Sequence, residues 1–411
     1  MSEVERLVEE LCPNGVEFLN LSKVCRFQNG FAFKSSLFRN EGRPVVRITN
    51  IADGKLTEDN YIYFDENDYN VDFSQYEVPF GGIVVAMSGA TTGKIGYNHS
   101  KTVYYLNQRV GMFVPNTNIL SNRYLYHWLM SQSQNIYNIS SGGGAQPNLS
   151  SAKMMEFLIP VPPLEVQEEI VRILDTFTEL TAELTAELTA RKKQYEYYHN
   201  SLMDFSARDI EYKSVGELFE IKNGLNKEKG AFGKGHPIIN FTDVYNKRWL
   251  ANGSFNGLVD VTSDEVERYS AKKGDVFFTR TSETKEEIGM SSTLIEDVPN
   301  CVFSGFVLRA RPTTELLLPK FCSYYFSTRK VRSTIVRYAA FTTRATTTGP
   351  KLSKIMVPIL PLEEQQRIVD ILDRFDALCN DISTGLPAEI EARQKQYEYY
   401  RDKLLTFKEM S

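Results

Sequence analysis

The feature that most constrains this chain is a long internal repeat. Residues 163–177 read PLEVQEEIVRILDTF, and residues 361–375 read PLEEQQRIVDILDRF. The hexapeptide KQYEYY follows each copy, first at 193–198 and again at 395–400. The second copy holds four more residues between these two landmarks than the first. Such a repeat predicts two copies of one structural plan rather than a single continuous domain.

The segments that precede the two repeats also correspond, though faintly. Residues 16–30 match residues 210–224 in their apolar positions and in a closing Asn-Gly. The sequence therefore predicts two similar units, each followed by a helical segment. We place the first unit, its helical segment, the second unit and its helical segment at 1–158, 159–205, 206–357 and 358–411.

Within each unit the sequence predicts strands and one helix. Pro44–Ile51 and Gly82–Met87 alternate or run apolar between Gly and Asn residues, which is typical of strands. Asn122–Gln134 and Pro319–Tyr338 have a helical apolar period. The predicted fold class is α+β, with two repeated α/β units separated by two long helices.

Both helical segments carry an apolar seam at alternating steps of three and four residues. Pro163 suits a helix start, because a first-turn proline forfeits no helical hydrogen bond. One helix cannot cover its own seam, so we predict that the two segments pack as an antiparallel coiled coil. Gly385 and Pro387 predict a kink or break in the second. The first seam consists of Leu174, Phe177, Thr181, Leu184, Leu188, Arg191, Tyr195, Tyr198, Leu202 and Phe205.

Composition and charge narrow the class of protein. No apolar run approaches the ~20 residues of a membrane span, and the acidic N-terminus MSEVERLVEEL is not a secretory signal. The five cysteines are scattered without a CxxC, so we expect a cytoplasmic protein with reduced cysteines. The net charge is −5, yet residues 78–155 and 316–352 contain no Asp or Glu. Such runs suit a surface that meets phosphates, although a merely solvated face is an equally open interpretation.

The sequence contains no recognisable catalytic motif. SGATTGKIG at 88–96 lacks the spacing of a phosphate-binding loop, and no Asn/Asp-Pro-Pro-aromatic motif of an amino-methyltransferase occurs. The four histidines form no cluster with metal-ligand spacing. We therefore predict no catalytic residue and no metal site, and interpret the chain as a binding and scaffolding protein.

The double PLExQxxIVxILDxF, each copy followed by a long helix with KQYEYYxxxLxxF, resembles the specificity subunit of a type I restriction–modification system. The tandem TELTAELTAELTA at 178–190 resembles the repeats of the type IC branch, where repeat number is associated with spacer length. The resemblance covers essentially the whole chain. It is specific in the helices and weak in the two units.

The resemblance implies a non-catalytic DNA-recognition subunit. Each unit is then a target-recognition domain that reads one half of a bipartite double-stranded DNA target, and the helices set the spacer and dock two methyltransferase subunits. A motor-nuclease subunit completes the full complex. S-adenosylmethionine, ATP and Mg²⁺ are expected in the partner subunits, with no cofactor in this chain and no membrane partner.

For DNA contact we select polar residues in loops that match between the units. Arg and Lys can read guanine, Asn and Gln can read adenine, and hydroxyls mostly bind phosphate. Ordinary loop capping is about as common a role for any one of them. The candidates in the first unit are Lys34, Arg47, Asn50, Ser88, Thr91, Thr92, Lys94, Gln108, Arg109 and Gln146. The candidates in the second unit are Asn240, Thr242, Arg280, Thr281, Ser282, Thr284, Lys285, Arg344, Thr346 and Thr347.

The sequence leaves open both the role of four repeated tyrosines and the class of function. Tyr195, Tyr198, Tyr397 and Tyr400 recur at equal spacing and either bind a partner or pack helix against helix. A DNA-free coiled-coil scaffold or adaptor would explain the helices but not the acid-free runs. An autonomous DNA enzyme would require a catalytic motif that the sequence lacks.

Overall fold

The chain folds into two compact parts, which are called the first and the second unit from here on. Each contains one of the two repeated α/β regions together with parts of both helical segments. The computed structural model describes residues 3–57, 59–140, 148–381 and 383–410. The first unit comprises Met1–Thr185 and Glu389–Ser411, and the second comprises Ala186–Ala388. The domain boundaries at 158, 205 and 357 stay predictions.

The first unit is built mainly from short strands. They are β1 (Phe18–Asn20), β2 (Cys25–Asn29), β3 (Arg43–Val46), β4 (Ile51–Ala52), β5 (Gly54–Leu56), β6 (Ile62–Phe64), β7 (Glu77–Val78), β8 (Ile83–Ala86), β9 (Ile95–Tyr97), β10 (Tyr104–Leu106), β11 (Val110–Pro115) and β12 (Leu158–Pro160). Its helices are α1 (Glu3–Leu11), α2 (Leu21–Val24), α3 (Asn122–Ser131), α4 (Ser133–Ser140) and α5 (Ser151–Met155).

A six-stranded sheet forms the centre of the first unit, in the order β2-β11-β8-β9-β5-β4. Strand β8 is buried along its whole length and pairs antiparallel with β11, Ile83 lying opposite Phe113. Its continuous apolar run fits a strand with both faces covered. A second sheet, β6-β3-β10-β7, packs on an aromatic core that includes Phe33, Phe64 and Phe73.

The second unit repeats this plan. Its strands are β13 (Tyr212–Ser214), β14 (Phe219–Asn223), β15 (Phe232–Ile239), β16 (Trp249–Leu250), β17 (Leu258–Val259), β18 (Val276–Thr279), β19 (Thr281–Ser282), β20 (Ser291–Leu294), β21 (Val302–Phe303), β22 (Val307–Pro312), β23 (Ala340–Phe341), β24 (Ala345–Thr346) and β25 (Met356–Pro358). Its helices are α7 (Val215–Leu218), α8 (Phe241–Asn246), α9 (Ser263–Arg268), α10 (Pro319–Phe326), α11 (Arg329–Tyr338), α12 (Gly349–Leu352) and α13 (Leu362–Asn380).

The central sheet of the second unit runs β14-β22-β18-β20-β16, the counterpart of β2-β11-β8-β9-β5. The Asn-Gly that closes each of the matched segments 16–30 and 210–224 has the same packing. A Cβ on Gly30 would lie 2.0 Å from the carbonyl oxygen of Asn107, and one on Gly224 would lie 2.1 Å from that of Ser304. The close approach of two backbones therefore requires glycine at both places. The predicted fold class, with two repeated units, is confirmed.

Each helix predicted within a unit is in fact two helices. The prediction over Asn122–Gln134 was wrong because α3 ends at Ser131 and α4 begins at Ser133. The prediction over Pro319–Tyr338 was wrong because α10 ends at Phe326, and α11 begins after Thr328, whose hydroxyl caps the new helix. Side-chain hydroxyls compete for backbone groups at such breaks.

The two helical segments differ as predicted. Helix α6 (Leu164–Leu202) is continuous, about 58 Å long at ~1.5 Å per residue. The second segment is interrupted between α13 and α14 (Leu386–Leu404), which confirms the predicted break. A Cβ on Gly385 would lie 2.5 Å from the carbonyl oxygen of Ala377, so the chain could not turn there with a larger residue.

Within each unit the helical segments pack through aromatic rings. In the first unit Phe177 stacks on Tyr400, with ring centroids 5.3 Å apart. In the second unit Tyr198 stacks on Phe375 at 5.6 Å, while Tyr195, one turn earlier, and Cys379, one turn later, both lie in the same buried core. The segments are therefore antiparallel, as the seam predicts. No helix in the described parts of the chain is long and apolar enough to cross a membrane.

Candidate DNA interface

Three loops lie together at one end of the central sheet in the first unit, where an isolated β-bridge also joins Ser88 to Asn148. The Thr91 hydroxyl donates to the carbonyl of Ile48 (3.2 Å), and the Met87 backbone nitrogen donates to the carbonyl of Arg109 (2.8 Å). The Leu149 nitrogen donates to the carbonyl of Met87 at 2.8 Å. We call this surface the first reading face; it comprises residues 47–50, 87–94, 107–109 and 148–149.

The same backbone bonds recur in the second unit. The Arg280 nitrogen donates to the carbonyl of Phe306 (2.9 Å), and the Thr347 nitrogen donates to the carbonyl of Arg280 (3.0 Å). Strand β19 pairs with β24, so that Thr281 lies opposite Thr346. We call this surface the second reading face; it comprises residues 240–242, 280–285, 304–306 and 344–347. By these bonds Met87 corresponds to Arg280, and Arg109 to Phe306.

Most of the predicted DNA-binding residues lie on these two faces. The exposed ones are Lys94, Gln108 and Arg109 in the first unit, and Thr242, Thr284, Lys285 and Arg344 in the second. The half-buried ones are Arg47, Ser88 and Thr91 in the first unit, and Asn240, Arg280, Thr281 and Thr346 in the second. Lys34 is exposed beside the aromatic core, where its backbone nitrogen donates to the Tyr69 hydroxyl at 3.1 Å. Gln146 lies outside the described residues.

Four predicted contact residues are buried instead: Asn50, Thr92, Ser282 and Thr347. The Asn50 side chain accepts from the Arg47 nitrogen (3.0 Å) and donates to carbonyls of Asp59 and Asn60 (both 3.3 Å). The Thr92 hydroxyl donates to the Gly89 carbonyl at 2.6 Å. Asn240 likewise joins a capping box with Asp243. The Asn50, Thr92 and Asn240 side chains therefore stabilise the loops, whereas the buried Thr347 hydroxyl has no hydrogen-bond partner among the described residues.

A buried glutamine attaches each helical segment to its unit. Gln167 Oε1 accepts from the Ser121 nitrogen (2.8 Å), and its Nε2 donates to carbonyls of Ile119 (2.9 Å) and Pro162 (2.7 Å). Gln365 accepts from the Leu318 nitrogen (2.9 Å) and donates to carbonyls of Leu316 (2.7 Å) and Leu360 (2.9 Å). The repeated Gln of PLExQ therefore has a structural role.

Comparison with known proteins follows the same division of the chain. The family model described as "Type I restriction modification DNA specificity domain" matches residues 13–191 and again 207–392. The chain belongs to this family. It is 36% identical over 298 residues to the "Type I restriction enzyme EcoR124I/EcoR124II specificity subunit" of Escherichia coli, covering 69% of this chain and 70% of that one.

Solved structures of the family share the fold. A chain from a structure of "the type I R-M system" has a TM-score of 0.61 at 16% identity, covering 96% of this chain and 98% of that one. The S subunit of a type I system from M. genitalium has a TM-score of 0.53 at 14% identity, covering 95% and 96%.

The four tyrosines singled out in this family member divide into two kinds. Tyr195 and Tyr397 are buried and bonded within their units: the Tyr397 hydroxyl lies 3.0 Å from His127 Nδ1, and the Tyr195 hydroxyl accepts from Arg248. Burial raises the pKa of Tyr195 to about 12, although the neighbouring Arg248 lowers it. Tyr198 and Tyr400 are partly exposed, with one ring face on a phenylalanine.

Sequence reasoning missed the most exposed tyrosines. Tyr197 is 69% exposed and Tyr399 is 64% exposed. Tyr197 meets Tyr198 edge to face at 5.5 Å, and Tyr399 meets Tyr400 in the same way at 5.3 Å. Tyr197 and Tyr399 are not seam positions, so the apolar period does not select them. They are nevertheless repeated in both copies of QYEYY, and that repeat is a signal by which they could be found. We call Tyr197 with Tyr198, and Tyr399 with Tyr400, the tyrosine patches.

Sequence reasoning also missed an aromatic on the second reading face. Phe306 is 63% exposed, between the buried Gly305 and Val307. No period or motif distinguishes it in the sequence. Within the described residues, no three His, Cys, Asp or Glu side chains come together as a metal site would require.

Proposed function

We propose that this chain is the DNA sequence-specificity subunit of a type I restriction–modification complex, in which each reading face contacts one half of a bipartite target. The single observation that carries the proposal is the pair of reading faces. They share one set of backbone hydrogen bonds but present different side chains. Equal scaffolds with unequal surfaces suit two readers of two different sequences.

The charges of the two faces suit DNA. The first face lies mostly within an acid-free stretch and exposes Lys94, Gln108 and Arg109. The second face exposes Lys285 and Arg344 together with one carboxylate, Glu283. Arg can bind guanine O6 and N7, Gln can bind adenine N6 and N7, and Lys can neutralise phosphate. Each face thus supplies both backbone attraction and base discrimination.

The chemistry belongs to partners in this proposal. The chain itself neither methylates nor cuts DNA; methyltransferase subunits bind S-adenosylmethionine, and a motor-nuclease subunit uses ATP and Mg²⁺. The chain acts in the cytoplasm, where its DNA substrate lies. Its lack of a recognisable catalytic motif supports this division of labour.

The tyrosine patches are the docking points for two copies of the methyltransferase. Tyrosine contributes large contact area at low entropic cost and is frequent in interface hot spots. Exposure of 69% at Tyr197 and 64% at Tyr399, with matched ring geometry in the two units, suits one partner surface used twice.

Methylome sequencing tests the reading function. Cells carrying this chain and its methyltransferase should show one bipartite methylated motif. Exchange of residues 12–158 for those of a relative should change one half of that motif and leave the other intact. If the exchange altered both halves, the two units would not be independent readers. If the assembled complex bound DNA without sequence preference, a scaffold role would replace this proposal.

Native mass spectrometry tests the docking role. Tyr197→Ala or Tyr399→Ala should each leave one bound methyltransferase, and the double variant should leave none. Phe80→Ala is the matched control, since Phe80 is also 64% exposed but lies in the loop between β7 and β8 rather than on a helical segment. Two bound copies in the double variant would remove the tyrosine patches from docking.

A further inference from the structure

Phe306 occupies a position where the first unit carries an exposed arginine. Its carbonyl accepts from the Arg280 nitrogen (2.9 Å), as that of Arg109 accepts from the Met87 nitrogen (2.8 Å). Both side chains extend from equivalent backbone sites into solvent. Single exposed apolar side chains are common on protein surfaces, so only the surroundings of Phe306 can indicate a ligand.

The surroundings of Phe306 suit a small apolar group. With Phe241 it lines a cavity of about 180 Å³ whose other walls are Thr281, Ser282, Glu283 and Arg344. Phe241 is half-buried and stacks on Tyr245, at a centroid distance of 5.7 Å, which fixes its ring. The cavity therefore combines two phenyl rings with a polar rim.

The charge of the rim indicates which part of DNA it faces. The Glu283 side chain is almost fully exposed, and its carboxylate lies 3.9 Å from the Arg344 guanidinium. A carboxylate is repelled by phosphate but can accept a hydrogen bond from the amino group of cytosine. The cavity thus suits base edges in a groove rather than the sugar–phosphate backbone.

We propose that Phe306 contacts the 5-methyl group of a thymine in the half-site read by the second unit. The C5-methyl group is the apolar group that base pairs present in the major groove, while the other edge groups are hydrogen-bond donors or acceptors. The proposal rests on the DNA-reading function above and names a specificity-determining residue for it. Arg109, at the equivalent position, contacts guanine in the other half-site.

Deoxyuridine substitution tests this contact, because it removes the methyl group and leaves base pairing unchanged. The complex of this chain with its methyltransferase is titrated with duplexes in which each thymine of the second half-site is replaced singly. Replacement at one of these positions should lower the affinity of the wild-type complex about fourfold, which is the effect expected from losing the burial of one methyl group. With Phe306→Ala the thymine and deoxyuridine duplexes should bind equally.

Phe232→Ala provides the control, since Phe232 is an exposed phenylalanine of the same unit outside the reading face. It should retain the fourfold preference for thymine. Arg109→Ala should also retain it, and should instead lose discrimination against 7-deazaguanine in the first half-site.

Several outcomes would overturn the contact. They are a half-site that contains no thymine, a wild-type complex indifferent to every deoxyuridine, and an unchanged preference in Phe306→Ala. Equal loss of affinity for all duplexes in Phe306→Ala, with no deoxyuridine effect in the wild type, would identify a wedge between base steps instead. The reading function stands in each case if the complex still selects its bipartite target, and falls if it does not.

Discussion

Nδ1 of His127 lies 3.0 Å from the hydroxyl of Tyr397, and Nε2 of the same ring lies 2.7 Å from Asp175. Burial lowers the pKa of His127, although the hydrogen bond to Asp175 opposes this. The ring is therefore neutral near pH 7, with its proton on Nε2 facing the carboxylate and Nδ1 accepting from tyrosine. A residue from the end of the chain thereby completes the core of the first unit.

Removal of one hydroxyl tests this arrangement. Tyr397→Phe should lower the free energy of unfolding of the first unit by about 1–3 kcal/mol, because His127 Nδ1 is left buried without a partner. The chain has two tryptophans, Trp128 and Trp249, one in each unit. Urea unfolding followed by Trp128 fluorescence in a Trp249→Phe background reports on this unit. The exposed Tyr399→Phe should change the free energy by less than about 0.5 kcal/mol, and an equal effect would contradict the assignment.

Stability of the second unit should depend on His199. Its Nε2 donates to the carbonyl of Tyr324 (2.8 Å), and burial lowers its pKa to about 4, although that hydrogen bond opposes the shift. Arg248 lowers this pKa further, while Asp376 and Glu196 raise it. In the unfolded state His199 therefore binds a proton near pH 6.5, whereas in the folded state it binds one only near pH 4. The free energy of unfolding consequently decreases as the pH falls through this window.

His199→Gln keeps a donor at the same place but does not titrate. Between pH 7.5 and pH 5 the wild type should lose about 2 kcal/mol more than this variant. Urea unfolding monitored by Trp249 in a Trp128→Phe background gives the comparison. Parallel pH profiles would show that His199 is not the titrating group.

The helical segments were predictable because their signal is local. Alternating steps of three and four residues predict an apolar seam from Leu174 to Leu202 without reference to the rest of the chain, and the close contact of Gly385 with the Ala377 carbonyl requires glycine at the break. Phe205, the last predicted member of the seam, lies beyond the end of α6. The reading faces depend on strand ends far apart in sequence. Local polarity therefore could not separate Asn50, which caps a loop, from Arg109, which is exposed. Phe306 carries no sequence signal at all.

The repeated glutamine should be essential to the attachment of each helix. Gln365→Ala removes three hydrogen bonds and leaves two carbonyls and one N–H without their partner, at about 1 kcal/mol each, so we expect a loss of about 3 kcal/mol in the second unit. Its exposed neighbour Gln366→Ala should cost less than about 0.5 kcal/mol. The same Trp249 measurement applies, and indistinguishable losses would indicate that the buried bonds contribute little.

The tandem four-residue repeat at 178–190, TELTAELTAELTA, should set the spacer between the half-sites. Removal of residues 183–186 from α6 deletes Leu184 but places Leu188 four residues after Leu180, so the half-buried leucine stripe stays continuous because the repeat is four residues long. The helix shortens by about 6 Å and turns by about 400°, or one turn plus 40°. That extra rotation is close to the ~36° twist of one base pair, while the translation is nearer to two. An inclined helix reconciles the two values, so we expect a spacer one base pair shorter with both half-sites unchanged.

The control for this deletion keeps the length of α6 and changes its surface. Glu183→Ala with Glu187→Ala leaves the helix intact, since alanine has the highest helix propensity, and should leave the spacer unchanged. Methylome sequencing of the deletion, the control and the wild type measures all three spacers. A deletion that leaves the spacer at its original length, with methylation intact, would show that the repeat does not determine it. A spacer altered by the two alanines would assign the effect to surface contacts rather than to the length of the helix.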